Sequence, residues 1–159
     1  MKWYERLGYG KDPFSPSSIA GSEELLEDLA YHVRAGSMVL LIALPGAGKT
    51  QMLQELIRLF RGRKRVIYVD AGARNGYDIE SLMTHRHGAL GRLLRIIPRD
   101  MILLVDNVSS LSRRNAEKLK FFFDNDYLHA VVFAAESVSQ AKLPDGILDR
   151  IGSKVLAIP

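Results

Sequence analysis

The stretch from Met38 to Gln51, MVLLIALPGAGKTQ, limits what this chain can fold into more than any other. An apolar, β-rich run, Val39 to Ala43, leads into a turn made of Leu44, Pro45, Gly46, Ala47 and Gly48, and helical periodicity begins at Lys49. Gly46 and Gly48 admit backbone conformations that a side chain would obstruct, so successive N–H groups can turn inward on a polyphosphate. The helix adds its positive end. Lys49 is placed to reach β- and γ-phosphates as a point charge, and Thr50 to offer its hydroxyl to a magnesium ion. The backbone from Pro45 through Gly46, Ala47, Gly48, Lys49 and Thr50 to Gln51 is therefore the candidate nucleotide-binding segment. The full phosphate-loop (Walker A) pattern has glycine at position 43, where this chain has Ala43.

A second apolar run, Met101 to Val105, ends on Asp106. In phosphate-loop ATPases an acidic residue at a strand tip (Walker B) holds the magnesium. We therefore expect Asp106 on the strand neighbouring the loop strand, forming the metal site with Thr50. The competing reading makes Asp106 a turn or helix-capping residue. Further strands are expected at Val66 to Val69, ending at Asp70, at His129 to Ala135, and at Lys154 to Ile158. Ser22 opens a helix that Gly36 closes, with Glu23 and Glu24 in its first turn. A helix over Ile79 to Arg95 is interrupted by Gly88 and Gly91 and stopped by Pro98. Ser112 starts an amphipathic helix to Phe123, and Pro144, Asp145 and Gly146 make a turn before a short helix, Ile147 to Ile151. Near-continuous apolar strands alternating with helices predict an α/β fold: a five-stranded parallel sheet sandwiched by helices, of the P-loop NTPase type. Residues 1–18, rich in aromatics, glycine and proline, read as a linker packed on a domain spanning 19–159.

A length of 159 residues with 47% apolar content suits one domain with a substantial core. The chain has no cysteine, so disulfides and thiolate metal sites are excluded, and its four histidines (His32, His85, His87, His129) argue against zinc. No apolar run approaches the length of a membrane span, and the first residues lack the apolar core of a secretion signal, so we expect no membrane partner and a cytoplasmic location. A net charge of +4 permits an anionic partner without requiring one. Candidate DNA contacts are Arg58 to Arg65, the cluster Arg113, Arg114, Lys118 and Lys120, and His85-Arg86-His87. Charged helix ends are also commonly just solvated.

With these motifs in place, the chain resembles the AAA+ ATPases, most nearly the replication-initiator, origin-recognition and clamp-loader types. Ile19-Ala20-Gly21-Ser22-Glu23-Glu24-Leu25 resembles the segment that helps bind adenine in that family, making Ile19 a candidate base contact. Leu148-Asp149-Arg150-Ile151 resembles the place of its arginine finger, and Glu136 with Ser137 falls where it has sensor 1. The resemblance implies ATP/ADP and Mg2+ as ligands, with Arg150 acting in trans on a neighbouring copy or protein partner. Equally, Arg150 reads as a surface residue pairing with Asp149 or Asp145. Glu136 is either a sensor or substitute base or a solvated strand-end carboxylate, and Asp70 either a catalytic or a capping group. The family's catalytic glutamate follows the magnesium aspartate, where this chain has Asn107; an amide orients a water but cannot take its proton. The chain also ends where the family's helical lid begins, implying a base domain with no helical lid, or a lid outside this chain.

The function expected from these readings is an ATP-binding AAA+ type domain, a candidate ATPase, whose nucleotide state controls assembly with DNA or a DNA-replication or recombination partner. The alternative is a degenerate, non-hydrolysing P-loop module acting as a protein-assembly factor.

Overall fold

The computed structural model describes residues 22–62, 65–73, 78–84 and 99–159. In chain order these form α1 (Ser22–Arg34), β1 (Met38–Ile42), α2 (Lys49–Phe60), β2 (Arg65–Asp70), α3 (Ile79–Thr84), β3 (Met101–Asp106) and a 3-10 turn (Val108–Ser110). There follow α4 (Arg113–Asp124), β4 (Leu128–Ala135), α5 (Val138–Ala141), α6 (Asp145–Ile151) and β5 (Val155–Ala157). The linker 1–18, Ile19, and the expected helix beyond Thr84 with Gly88, Gly91 and Pro98 lie outside the described residues, as does His85-Arg86-His87.

All strands pair in parallel in the order β2-β3-β4-β1-β5. Parallel strands need crossovers, and the helices of those crossovers cover both faces. All six residues of β3 are consequently buried. Alternate residues serve opposite layers. Met38 and Leu40 of β1, with Met101, Leu103 and Val105 of β3, pack into one layer with α3, α4 and α6. Val39, Leu41, Ile102 and Leu104 pack into the other with α1 and α2.

The sheet order corrects one expectation. β3 is not the neighbour of β1, because β4 lies between them, paired to each. The β1–α2–β2 connection carries the chain three strand positions away, and the two places left open are filled by the next two strands in turn. A second correction concerns Pro144 to Gly146. Asp145 and Gly146 already belong to α6, with Pro144 as its N-cap residue; proline's fixed φ and an acid in the first turn both suit a helix start. β4 also begins one residue earlier than expected. Its pairing slips between Met101 and Ile102, leaving His129 as the extra residue. The imidazole lies against the carbonyl of Arg34 at 3.1 Å and Asp100 at 3.2 Å, tying the end of α1 to the lower edge of the sheet.

Candidate nucleotide site

The loop after β1 carries its two glycines in the left-handed region, Gly46 at φ 78° and Gly48 at φ 98°. A Cβ on Gly46 would meet nothing within 4 Å, so at this position the requirement for glycine comes from the backbone angle and leaves the loop open above it. The first bond of α2 runs from Met52 N–H to the Gly48 carbonyl at 2.9 Å. The amides preceding Met52 at the start of the helix are the donors that a helix leaves for caps or ligands. Lys49 folds back over the loop, its ammonium donating to the carbonyls of Ala43 at 2.8 Å and Leu44 at 3.3 Å.

Pleat parity puts Asp106 on the same face of β3 as Ile102 and Leu104, the face that α2 covers. Although β4 intervenes between their strands, Thr50 on the first turn of α2 reaches across, and its hydroxyl donates to Asp106 Oδ2 at 2.7 Å. Asp106 is only 2% exposed. A buried carboxylate requires donors, and it has two more: the Asn107 amide on Oδ1 at 2.9 Å and the Tyr68 hydroxyl on Oδ2 at 3.0 Å. Burial, followed by the hydrogen bond and charge of Asp106, pushes the Tyr68 hydroxyl well above the usual tyrosine range. A carboxylate and an alcohol sharing one locus make a hard-oxygen donor set of the kind magnesium takes.

Asn107 has a left-handed backbone, φ 51°, which asparagine tolerates better than most residues. Its side-chain amide donates to Asp70 Oδ1 at 2.8 Å, and the Gly72 amide donates to the same oxygen at 2.9 Å. Asp70 and Asp106 are register partners at adjacent strand tips, so the pairing of β2 with β3 builds this contact. Glu136, just past β4, is exposed and shares a groove of about 260 Å³ with Lys49, Asn107, Gln140 and Lys142. On the other side of the loop, a cavity of about 170 Å³ is lined by Ser22, Leu26, Gly48, Gln51, Met52 and Ile158 among others.

Arg150 lies away from these groups. From α6 its guanidinium forms a bidentate pair with Asp124 at the end of α4, both contacts at 2.7 Å, and donates to the Gly146 carbonyl. Its hydrogen-bonding acid is thus remote in sequence, and neither Asp145 nor Asp149 fills that role. Of the basic clusters, Arg58 pairs with Glu55 at 2.6 Å, and Lys118 with Asp78 at 2.7 Å and Glu80 at 3.1 Å. No helix among the described residues is long and apolar enough to cross a membrane.

Two residues at the site, Tyr68 and Lys142, escape sequence reading. Tyr68 carried a usable signal, since an aromatic two places before a strand-tip acid shares its face; Lys142, just past a four-residue helix, carried none.

No family model matches the chain. Among curated proteins, the ABC transporter ATM1 of Toxoplasma gondii is 26% identical over 113 residues, covering 65% of this chain and 9% of that protein. Among solved structures, the ORC1 protein of Aeropyrum pernix, determined in complex with DNA, superposes with a TM-score of 0.69 at 20% identity, covering 91% of this chain and 46% of that one. Cdc6p from Pyrobaculum aerophilum gives 0.62 at 17% identity over 91% of this chain and 48% of that one. The chain thus spans about half the length of these structures and about a tenth of the transporter. Strand order, helical layers and these superpositions agree: the chain has the fold of the AAA+ ATPase base domain.

Proposed function

We propose that this domain binds Mg-ATP between the loop 44–50 and the tips of β3 and β4, and that its nucleotide state governs assembly with DNA or with a DNA-replication or recombination partner. The observation that carries the reading is the 2.7 Å bond from Thr50 to buried Asp106 directly below a glycine loop that bears Lys49. In this reading the loop amides and Lys49 cradle the phosphates, Thr50 and Asp106 hold the metal, and the cavity beside Gln51 and Met52 takes the base, with Ile19 as its further contact. Magnesium supplies neutralisation of phosphate charge. Asn107 and Glu136 face the groove where an attacking water would stand, and Arg150 is the group offered to a neighbouring copy once released from Asp124. We place the protein in the cytoplasm, on its composition.

Fluorescent ATP titrated into the wild type should bind saturably and only with magnesium, and Lys49→Ala should abolish this. Equal signals from the two proteins would refute a nucleotide role. A salt-dependent gel shift with duplex and single-stranded DNA tests the partner, and indifference to both at low salt would remove it.

The second reading is a nucleotide-responsive module that does not hydrolyse. It is favoured by the Asn107 amide, which is committed to Asp70 and cannot accept a proton. Phosphate release separates the two readings.

A further inference from the structure

We propose that Lys142 is the cation that distinguishes a terminal phosphate at this site, supplied by the same chain that binds the nucleotide. The proposal rests on the nucleotide reading above and adds to it a residue that none of the motifs contains.

Three observations lead to Lys142. The first is its place: it lines the groove of about 260 Å³ that Lys49, Asn107 and Glu136 also line. A phosphate chain seated on the loop would extend into that groove beyond Lys49.

The second is its backbone. Four non-glycine residues among those described have positive φ, and three of them are Asp100, Asn107 and Asp126, the residue types that tolerate the left-handed region. Lys142, at φ 51°, is the exception. It occupies the C-cap of α5, where glycine or asparagine would sit without penalty. Ala141 and Leu143 on either side are buried, and Lys142 between them is exposed. A long cationic side chain therefore stands where the backbone alone would favour a smaller residue.

The third is its charge. Lys142 also lines a neighbouring cavity with Arg113 and Asp145, while Arg150, away from the loop, is paired with Asp124. Among the described residues no carboxylate lies within ion-pair distance of the Lys142 ammonium, although Glu136 lines the same groove. The expected finger is held by its own chain while a cation facing the loop lysine is left for an anion. An additional negative charge at the far end of the nucleotide is the ligand that this arrangement favours.

The test is the ratio of ATP to ADP affinity, measured with magnesium for wild type, Lys142→Arg, Lys142→Asn and Lys142→Gly. Both neutral variants suit the left-handed backbone, so each should melt at or above the wild-type temperature. We expect them to reduce the ATP preference by about fivefold, the size of one partly exposed charge-assisted contact, while ADP affinity stays unchanged. Lys142→Arg should retain the preference. If Lys142→Gly gains stability and keeps the wild-type ratio, the proposal is wrong and the lysine is only a tolerated cap. A wild type that binds both nucleotides equally, with binding still dependent on Lys49, also overturns it while leaving the nucleotide reading intact. Absence of any Lys49-dependent binding removes both.

Discussion

Asp106 Oδ2 receives two hydroxyl groups, from Thr50 at 2.7 Å and Tyr68 at 3.0 Å, and this sharing makes a quantitative prediction about stability without ligand. A hydrogen bond to a charged group is worth about 1.5–3 kcal/mol in favourable settings. Thr50 is exposed and Tyr68 partly so, which lets water replace some of the loss. Thr50→Val or Tyr68→Phe alone should therefore cost about 1 kcal/mol each, because the other hydroxyl still satisfies the oxygen. Removing both leaves that oxygen of a 2% exposed carboxylate without either hydroxyl donor, adding a desolvation penalty of about 1–3 kcal/mol. The double variant should thus lose about 3–5 kcal/mol, giving a coupling energy of about 1–3 kcal/mol. Urea denaturation of the four proteins at neutral pH in EDTA, with equal m-values, measures this. Additivity within about 0.5 kcal/mol would show that the hydroxyls do not share the oxygen, and the geometry of the metal site would have to be redrawn.

Asn107→Glu, the change that would restore the usual base, should destabilise the protein by about 1–2 kcal/mol, because it sets a carboxylate against Asp70 and a poorly tolerated residue at φ 51°. Adding Asp70→Asn should recover part of that loss, so phosphate release is best read on the double variant; an Asn107→Glu protein as stable as wild type would contradict the Asp70 contact. The Asp78–Lys118 pair predicts acid sensitivity. The Lys118 hydrogen bond lowers the Asp78 carboxyl below the usual range, so its stabilisation is present above the ordinary aspartate value of about 3.9 and is lost as pH falls through the lower folded value. The same contact raises Lys118, whose share is complete below the ordinary lysine value of about 10.4 and is lost only in stronger alkali. Lys118→Met should flatten the acid limb of the melting-temperature profile, and an unchanged limb would count against the pair.

The elements that follow local rules could be read from the chain alone. β1, β3 and β4 are apolar on both faces and declare themselves as buried strands, and Ser112 caps α4 by accepting the Asn115 amide as its residue type suggests. Gly46 and Gly48 take the positive φ that the loop pattern demands. Features settled by the tertiary arrangement could not be read. No local signal tells β4 to enter between β1 and β3. Arg150 passes over the acids beside it for Asp124, because folding brings the ends of α4 and α6 together. Strand parity sets Tyr68 on the face of Asp70, but only the pairing of β2 with β3 brings its hydroxyl to Asp106. Pro144-Asp145-Gly146 signals a turn and a helix start equally well, and the packed structure takes the helix start.

β4 between the loop strand and the Asp106 strand works as a shim. Neighbouring parallel strands are about 4.8 Å apart, so the two halves of the site are spaced by main-chain hydrogen bonding and not by any side chain. At the tip this spacing is locked, since the Ala43 amide bonds the Ala135 carbonyl at 3.1 Å. Point substitutions can retune what lies above the sheet, but they cannot widen or narrow the gap beneath it. The separation between anion cradle and acid is therefore a dimension set by the backbone.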